Sequence, residues 1–302
     1  MNIKRILKTT WNKSKISFLI TLKTVVFLLV FNYLRLGSHT LAPIRSWLET
    51  QVRSNWNPTV SELKELINYA EYAIDVFHIE STEDLKEKYH GTYNADFYHV
   101  HTIDNTMFFI IRKANQLFVS IRGSVNDDNY ISNLDAELEK DEELETLIHS
   151  GYRDIAIKIA DYVESFILPY DQIHLTGASL GAAVATIVGW YLDDRNYDVR
   201  KIVAFDSPRI SDSDYSHLPI ITILNKQDPV AYIPSFTLFG KYRHQGKRIV
   251  YESGSWYVYK DDDKSDLLLS WVMFNKSLDI GAHMKFQENL KTKLNTKICE
   301  HQ

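Results

Sequence analysis

Apolar residues recur along this chain in two rhythms. Leu63, Ile67, Ala70, Ile74 and Phe77 follow one another at three- or four-residue intervals, the spacing of one helical face. Thr59 precedes them with Glu62 three residues on, a capping-box pair that starts a helix. After a polar stretch, Met107–Arg112 and Leu117–Arg122 are strand-like runs separated by Lys113–Gln116, which predicts a hairpin. Gly151–Leu168 returns to helical spacing. Gln172–Thr176 is a short β-rich run, and Gly177 leads from it into an Ala-rich helix ending near Asp193. Lys201–Phe205 and Ile220–Leu224 are further β-branched runs bounded by turn residues. Arg248–Tyr251 and Trp256–Tyr259 predict a late hairpin, and Met284–Leu294 a final helix.

Strands alternating with helices predict an α/β fold, with a mostly parallel central sheet covered by helices on both faces. No internal repeat interrupts it, so one domain is expected over residues 59–302. A linker with Pro43 and Pro58 occupies residues 37–58. Residues 1–36 are of another kind. Lys4, Arg5, Lys8, Lys13 and Lys15 precede Ile16–Leu34, which is apolar except for Lys23, Asn32 and a few hydroxyls. A bilayer-spanning helix needs about 20 apolar residues. Lys23 costs roughly 2.5–3.5 kcal/mol on insertion scales. The run is longer than a signal-peptide core and lacks a small-residue cleavage site. It predicts an uncleaved membrane anchor over residues 16–34 with a cytoplasmic N-terminus. An interfacial or docked helix, or a secreted protein, is the alternative.

Charge sharpens this division. The net charge of -5 over 302 residues hides a +8 segment at residues 1–53 and a -13 body. Such an acidic body repels phosphates, which argues against nucleic acid as a partner. The single cysteine, Cys299, excludes an intrachain disulfide framework and a cysteine zinc site.

Candidate chemistry centres on Ile173–Gly181, which contains Gly177-Ala178-Ser179-Leu180-Gly181. Gly-x-Ser-x-Gly between a strand and a helix is the context of a nucleophile elbow. The turn is so tight that its flanks must be tiny, and it presents Ser179 at a helix N-terminus. A serine needs a base, and the base an orienting acid, which in this fold follow in the order Ser, Asp or Glu, His. Asp228 lies just after a strand-like run and before Pro229. Of eleven histidines, only His244, His283 and His301 follow it. His301 sits beside the terminus. His283, in a loop before a helix, suits a reaching base better than His244, but both stay open on pattern alone.

Further motifs join these. Ser120-Ile121-Arg122-Gly123-Ser124, His149-Ser150-Gly151-Tyr152, Thr176–Ala183, Phe205-Asp206-Ser207-Pro208-Arg209-Ile210, Asn225–Pro229 with Ile233-Pro234, Tyr242–Gly246, and His283 with Phe286 occur in that order. Over about residues 105–290 the chain resembles the class 3 lipase family, of the α/β-hydrolase superfamily. The resemblance implies catalytic Ser179, Asp228 and His283, with His244 at a non-catalytic position. It also implies an oxyanion hole from the N–H groups of Leu180 and Ser124, with the Ser124 hydroxyl as a third donor. No metal or cofactor is required, and the implied substrate is a lipid ester. The family places a lid between Ser124 and His149, and Asn129–Leu134 is the segment available for its helix. The stretch Asp127–Glu145, however, has nine acids and one lysine, as a solvated loop would. Ala178 and Ala182 depart from the usual residues, and Asp206 stands where glycine is common. The sequence offers no account of Asp206. Acyl-enzyme hydrolysis of acylglycerols or phospholipids is the expected activity. A short-chain carboxylesterase and an inactive, membrane-anchored binding module are the alternatives.

Overall fold

Alternation along single strands builds this molecule in three layers. In the computed structural model, residues 46–89, 95–124, 138–213, 215, 217–234, 242–260, 265, 269 and 279–300 are described. The segments 16–34 and 129–134, read above as a membrane helix and a lid helix, lie outside the described residues. Among those described, no helix is long and apolar enough to cross a membrane.

Nine strands form one sheet: β1 (Arg53–Asn55), β2 (Phe97–Ile103), β3 (Thr106–Lys113), β4 (Gln116–Ile121), β7 (Gln172–Ala178), β8 (Val199–Phe205), β9 (Ile220–Asn225), β10 (Lys247–Glu252) and β11 (Ser255–Tyr259). Their order is β1-β11-β10-β9-β8-β7-β4-β3-β2. A separate hairpin joins β5 (Leu138–Lys140) to β6 (Leu147–His149). Among the described residues, helix also covers 46–52, and the helices that flank the sheet are α1 (Val60–Asp75), α2 (Thr82–Tyr89), α3 (Ser150–Glu164), α4 (Leu180–Asp194) and α5 (Phe286–Cys299).

The sheet is mixed rather than mostly parallel. Strands β10, β9, β8, β7 and β4 run parallel in its middle. At one edge β4, β3 and β2 are antiparallel, and at the other β10, β11 and β1 are. The reason is the three tight hairpins, at 103–106, 113–116 and 252–255, because a turn of a few residues returns the chain only antiparallel.

In β8, Ile202 faces the α3–α4 side, where it packs with Ile159, Val184 and Val188. Its neighbours Val203 and Phe205 face the α1–α5 side with Leu63, Leu66 and Phe286. Helix α4 packs on the middle strands on one side and against α3 on another, and its residues are buried continuously from Gly181 to Leu192. That explains an apolar run without a clear polar face. Thr59 caps α1, its hydroxyl accepting the Glu62 N–H at 3.1 Å.

The sheet begins inside the segment read as a linker. Strand β1 pairs with β11. Trp56 is buried with its ring edge-on to Trp256, 5.4 Å between centroids. Buried Lys226 pairs with Glu49 at 3.0 Å and with Glu252 at 2.5 Å. Part of the acidic stretch is also structural. Asp141 is buried and accepts the Tyr191 hydroxyl at 2.5 Å and the Leu144 N–H at 2.8 Å. Glu143 pairs with Arg195 at 2.7 Å.

Candidate active site

The C-terminal ends of the parallel strands gather the singled-out residues. Strand β7 stops at Ala178, and Ser179 turns the chain into α4 with φ 57° and ψ -130°. A non-glycine residue there is strained by about 1–3 kcal/mol, so the surroundings must hold it. The Ser179 N–H donates to the Phe205 carbonyl at 2.9 Å, and its own carbonyl accepts the N–H groups of Ala182 and Ala183. The turn closes only because its flanks lack side chains. A Cβ on Gly181 would stand 2.1 Å from the Ile121 carbonyl oxygen, and one on Gly177 would stand 2.5 Å from the Gly181 backbone. Leu180 is the first residue of α4. Its N–H has no carbonyl one turn earlier to meet and lies at the positive end of the helix dipole.

Strand β4 lies parallel beside β7 and leads through Gly123 to Ser124. The Ser124 hydroxyl is buried without a hydrogen-bond partner. A hydroxyl so placed is available to an oxygen that arrives later.

After β9, Asp228 is fully buried in the turn that Pro229 continues. Its Oδ1 accepts the Val230 N–H at 2.9 Å, and its Oδ2 lies 2.7 Å from His283 Nδ1. His283 follows a short 3-10 turn, Ile280–Ala282, that Asp279 caps. The two loops are stitched together. Asp279 N–H donates to the Gln227 carbonyl at 2.9 Å, and the Asn225 amide to the Ala282 carbonyl at 3.3 Å. Phe286 stacks on Phe205 at 4.3 Å, fastening the histidine loop to β8. With Nδ1–H donating to Asp228, the lone pair falls on Nε2. Burial alone would lower the imidazole pKa, but the bond to Asp228 and the charges of Asp228 and Asp206 outweigh it, so the pKa is raised.

His244 pairs differently from His283. It is buried with Nε2 2.6 Å from the Ala231 carbonyl. His301 lies outside the described residues.

Sequence reasoning assigned no role to Asp206. It is fully buried at the end of β8, and its ligand atoms, those of Asp228 and those of His283 lie within 4.8 Å of one another. Burial first, and then the charge of Asp228, push its carboxyl up to about 7, against the opposing pull of His283 and two backbone hydrogen bonds. The signal was the departure itself, an acid at a position where the family commonly has glycine.

A strained serine at a strand-to-helix turn, followed on later loops by a carboxylate and a histidine in hydrogen-bond contact, defines the serine hydrolases of α/β type. The comparisons point the same way: the family model Lipase (class 3) matches residues 118–238. The resemblance read from the motifs holds there. Secreted mono- and diacylglycerol lipase 1 of Fusarium solani is 25% identical over 197 residues, which span 59% of this chain and 58% of that protein. The crystal structure of a lipase from Rhizopus microsporus var. chinensis has a TM-score of 0.58 at 18% identity, covering 76% of this chain and 90% of the other. Lipase II from Rhizopus niveus has a TM-score of 0.58 at 16% identity, covering 77% and 95%. At such identities the structural likeness is one of fold.

Proposed function

We propose that this protein hydrolyses carboxylic esters of lipids through an acyl-enzyme on Ser179. The observation that carries the reading is the His283–Asp228 pair, 2.7 Å apart, on the loops after β9 and before α5, beside a strained serine elbow at the end of β7. His283 Nε2 takes the Ser179 proton as Oγ attacks the ester carbonyl. Asp228 holds the ring and stabilises the imidazolium that forms. The oxyanion is met by the N–H groups of Leu180 and Ser124 and by the Ser124 hydroxyl, each such donor being worth about 2.7–4 kcal/mol of barrier. His283 then returns the proton to the leaving alcohol. Water, deprotonated by the same base, releases the carboxylic acid.

Acylglycerols are the preferred substrate class, since the Fusarium solani relative is described as a mono- and diacylglycerol lipase. Serine-dependent hydrolysis of p-nitrophenyl palmitate and butyrate tests both parts. Loss of both rates in Ser179→Ala supports the triad, and preference for palmitate separates a lipase from a short-chain carboxylesterase. Full turnover without Ser179 sinks the proposal. Residues 16–34 further support a membrane-held enzyme. The secreted description of the Fusarium solani relative supports the alternative. Retention of a chain lacking residues 1–45 in the membrane fraction would remove the anchor reading.

A further inference from the structure

We infer that Asp206 is a positioning residue of the triad, a second buried carboxylate that clamps the acid and base loops together and backs the imidazole of His283 with negative charge. The inference rests on the reading of His283 as the base. Asp206 follows Phe205 at the end of β8, between the strands that carry Ser179 and lead to Asp228. Its own N–H donates to the Ile223 carbonyl at 2.8 Å. Its two carboxylate oxygens reach in different directions. Oδ1 accepts the N–H of Asn225, where the acid loop leaves β9, at 2.9 Å. Oδ2 accepts the N–H of Met284, the residue next to the base, at 3.1 Å. One side chain therefore fastens segments that are 59 positions apart in sequence, Asn225 and Met284.

A purely structural clamp does not need an acid here, and a buried charge costs several kcal/mol unless it is compensated. The compensation is the two N–H bonds and His283. The charged groups that bear on Asp206 are Asp228, which repels it, and His283, which attracts it. When the imidazole takes the serine proton, both carboxylates stabilise the cation. When acid protonates Asp206, that support is lost. The backbone conformation fits the same picture. Asp206 has φ 45°, a left-handed value that glycine adopts freely and aspartate tolerates better than most residues. The chain keeps the side chain where glycine would be the relaxed choice.

The test uses the full chain in detergent with 13C-labelled histidine rings, in wild type, Asp206→Asn and Asp206→Gly. The His283 resonance is assigned by its loss in His283→Gln. Asn keeps size and one acceptor but no charge, and Gly relieves the left-handed backbone, so at least one variant is expected to fold. The expected result is a His283 pKa lowered by about one unit in both, a tenfold change in its protonation equilibrium. The acidic limb of kcat/KM should move down with it, and kcat should fall roughly tenfold at unchanged KM. An unchanged His283 pKa in a folded variant overturns the inference. Because the resonance is read without turnover, the two readings fail separately. A shifted resonance in an enzyme without serine-dependent activity would retain the clamp and remove the hydrolase. Serine-dependent activity with an unshifted resonance would do the reverse.

Discussion

Ser179, Asp228 and His283 sit 49 and 55 positions apart in sequence, and each is held by backbone before it is held by its partners. Asp228 is oriented by the N–H of Val230 and by His283, so its carboxylate is committed to the ring. The sign of the resulting pH dependence is definite. As the proposed base, His283 must be neutral to accept the serine proton, and its pKa is raised above the ordinary value of about 6.5. Activity should fall as pH drops through that raised value. The acidic limb of kcat/KM in wild type should therefore lie above pH 6.5. A limb centred below it would mean that burial wins over the two carboxylates. These three candidates stood out because their motifs are local (a glycine-flanked serine, an acid after a strand, a histidine before a helix), although the pattern alone left His244 open beside His283. Asp206 was visible as an oddity and opaque as a function, because its meaning depends on two loops that meet only in the folded chain.

At the scale of elements, the site depends on how closely β4, β7 and α4 approach. Gly181 is where they touch, and an added Cβ meets backbone atoms of Ile121, Arg122 and Gly123 rather than a yielding side chain. Gly181→Ala should therefore push the end of β4 away, displacing Ser124 and costing about 1–3 kcal/mol in overpacking. Calorimetry should show a lower Tm, and esterase assays a lower kcat. An unchanged Tm with unchanged activity would show that the elbow tolerates a methyl group. The strands that build this approach were readable from β-branched runs, and the hairpins at 113–116 and 252–255 were readable from their turns. Strand β2 was not, since His99, His101 and Thr102 interrupt its apolar pattern and most of it is only half-buried at a sheet edge. Helix α2 also escaped notice, burying just Leu85 and Tyr89. The β5–β6 hairpin hides in an acidic run whose charges are spent on Tyr191, Arg195 and local turns.

At the scale of the whole molecule, the folded body starts before residue 59. Glu49, Arg53 and Trp56 are spaced along a segment that composition marks as a linker, yet they close one sheet edge and reach Lys226 at the start of the acid loop. A chain beginning at residue 46 should leave the membrane fraction and keep its turnover. One beginning at residue 59 should lose the burial of Trp56, worth about 3–5 kcal/mol, and melt well below it. Equal melting temperatures would show β1 to be dispensable. Composition concealed this edge because a three-residue strand carries no periodicity, and its pairing with β11 is 204 positions distant.

The proposed chemistry stands or falls with Ser179 as a nucleophile served by His283. The most direct measurement compares hydrolysis of p-nitrophenyl palmitate and butyrate by the purified full chain and its Ser179→Ala variant, with both shown to be folded by circular dichroism. Ser179→Ala should lose on the order of 10^4-fold or more in kcat with the fold unchanged. Equal rates in a folded Ser179→Ala variant would contradict it.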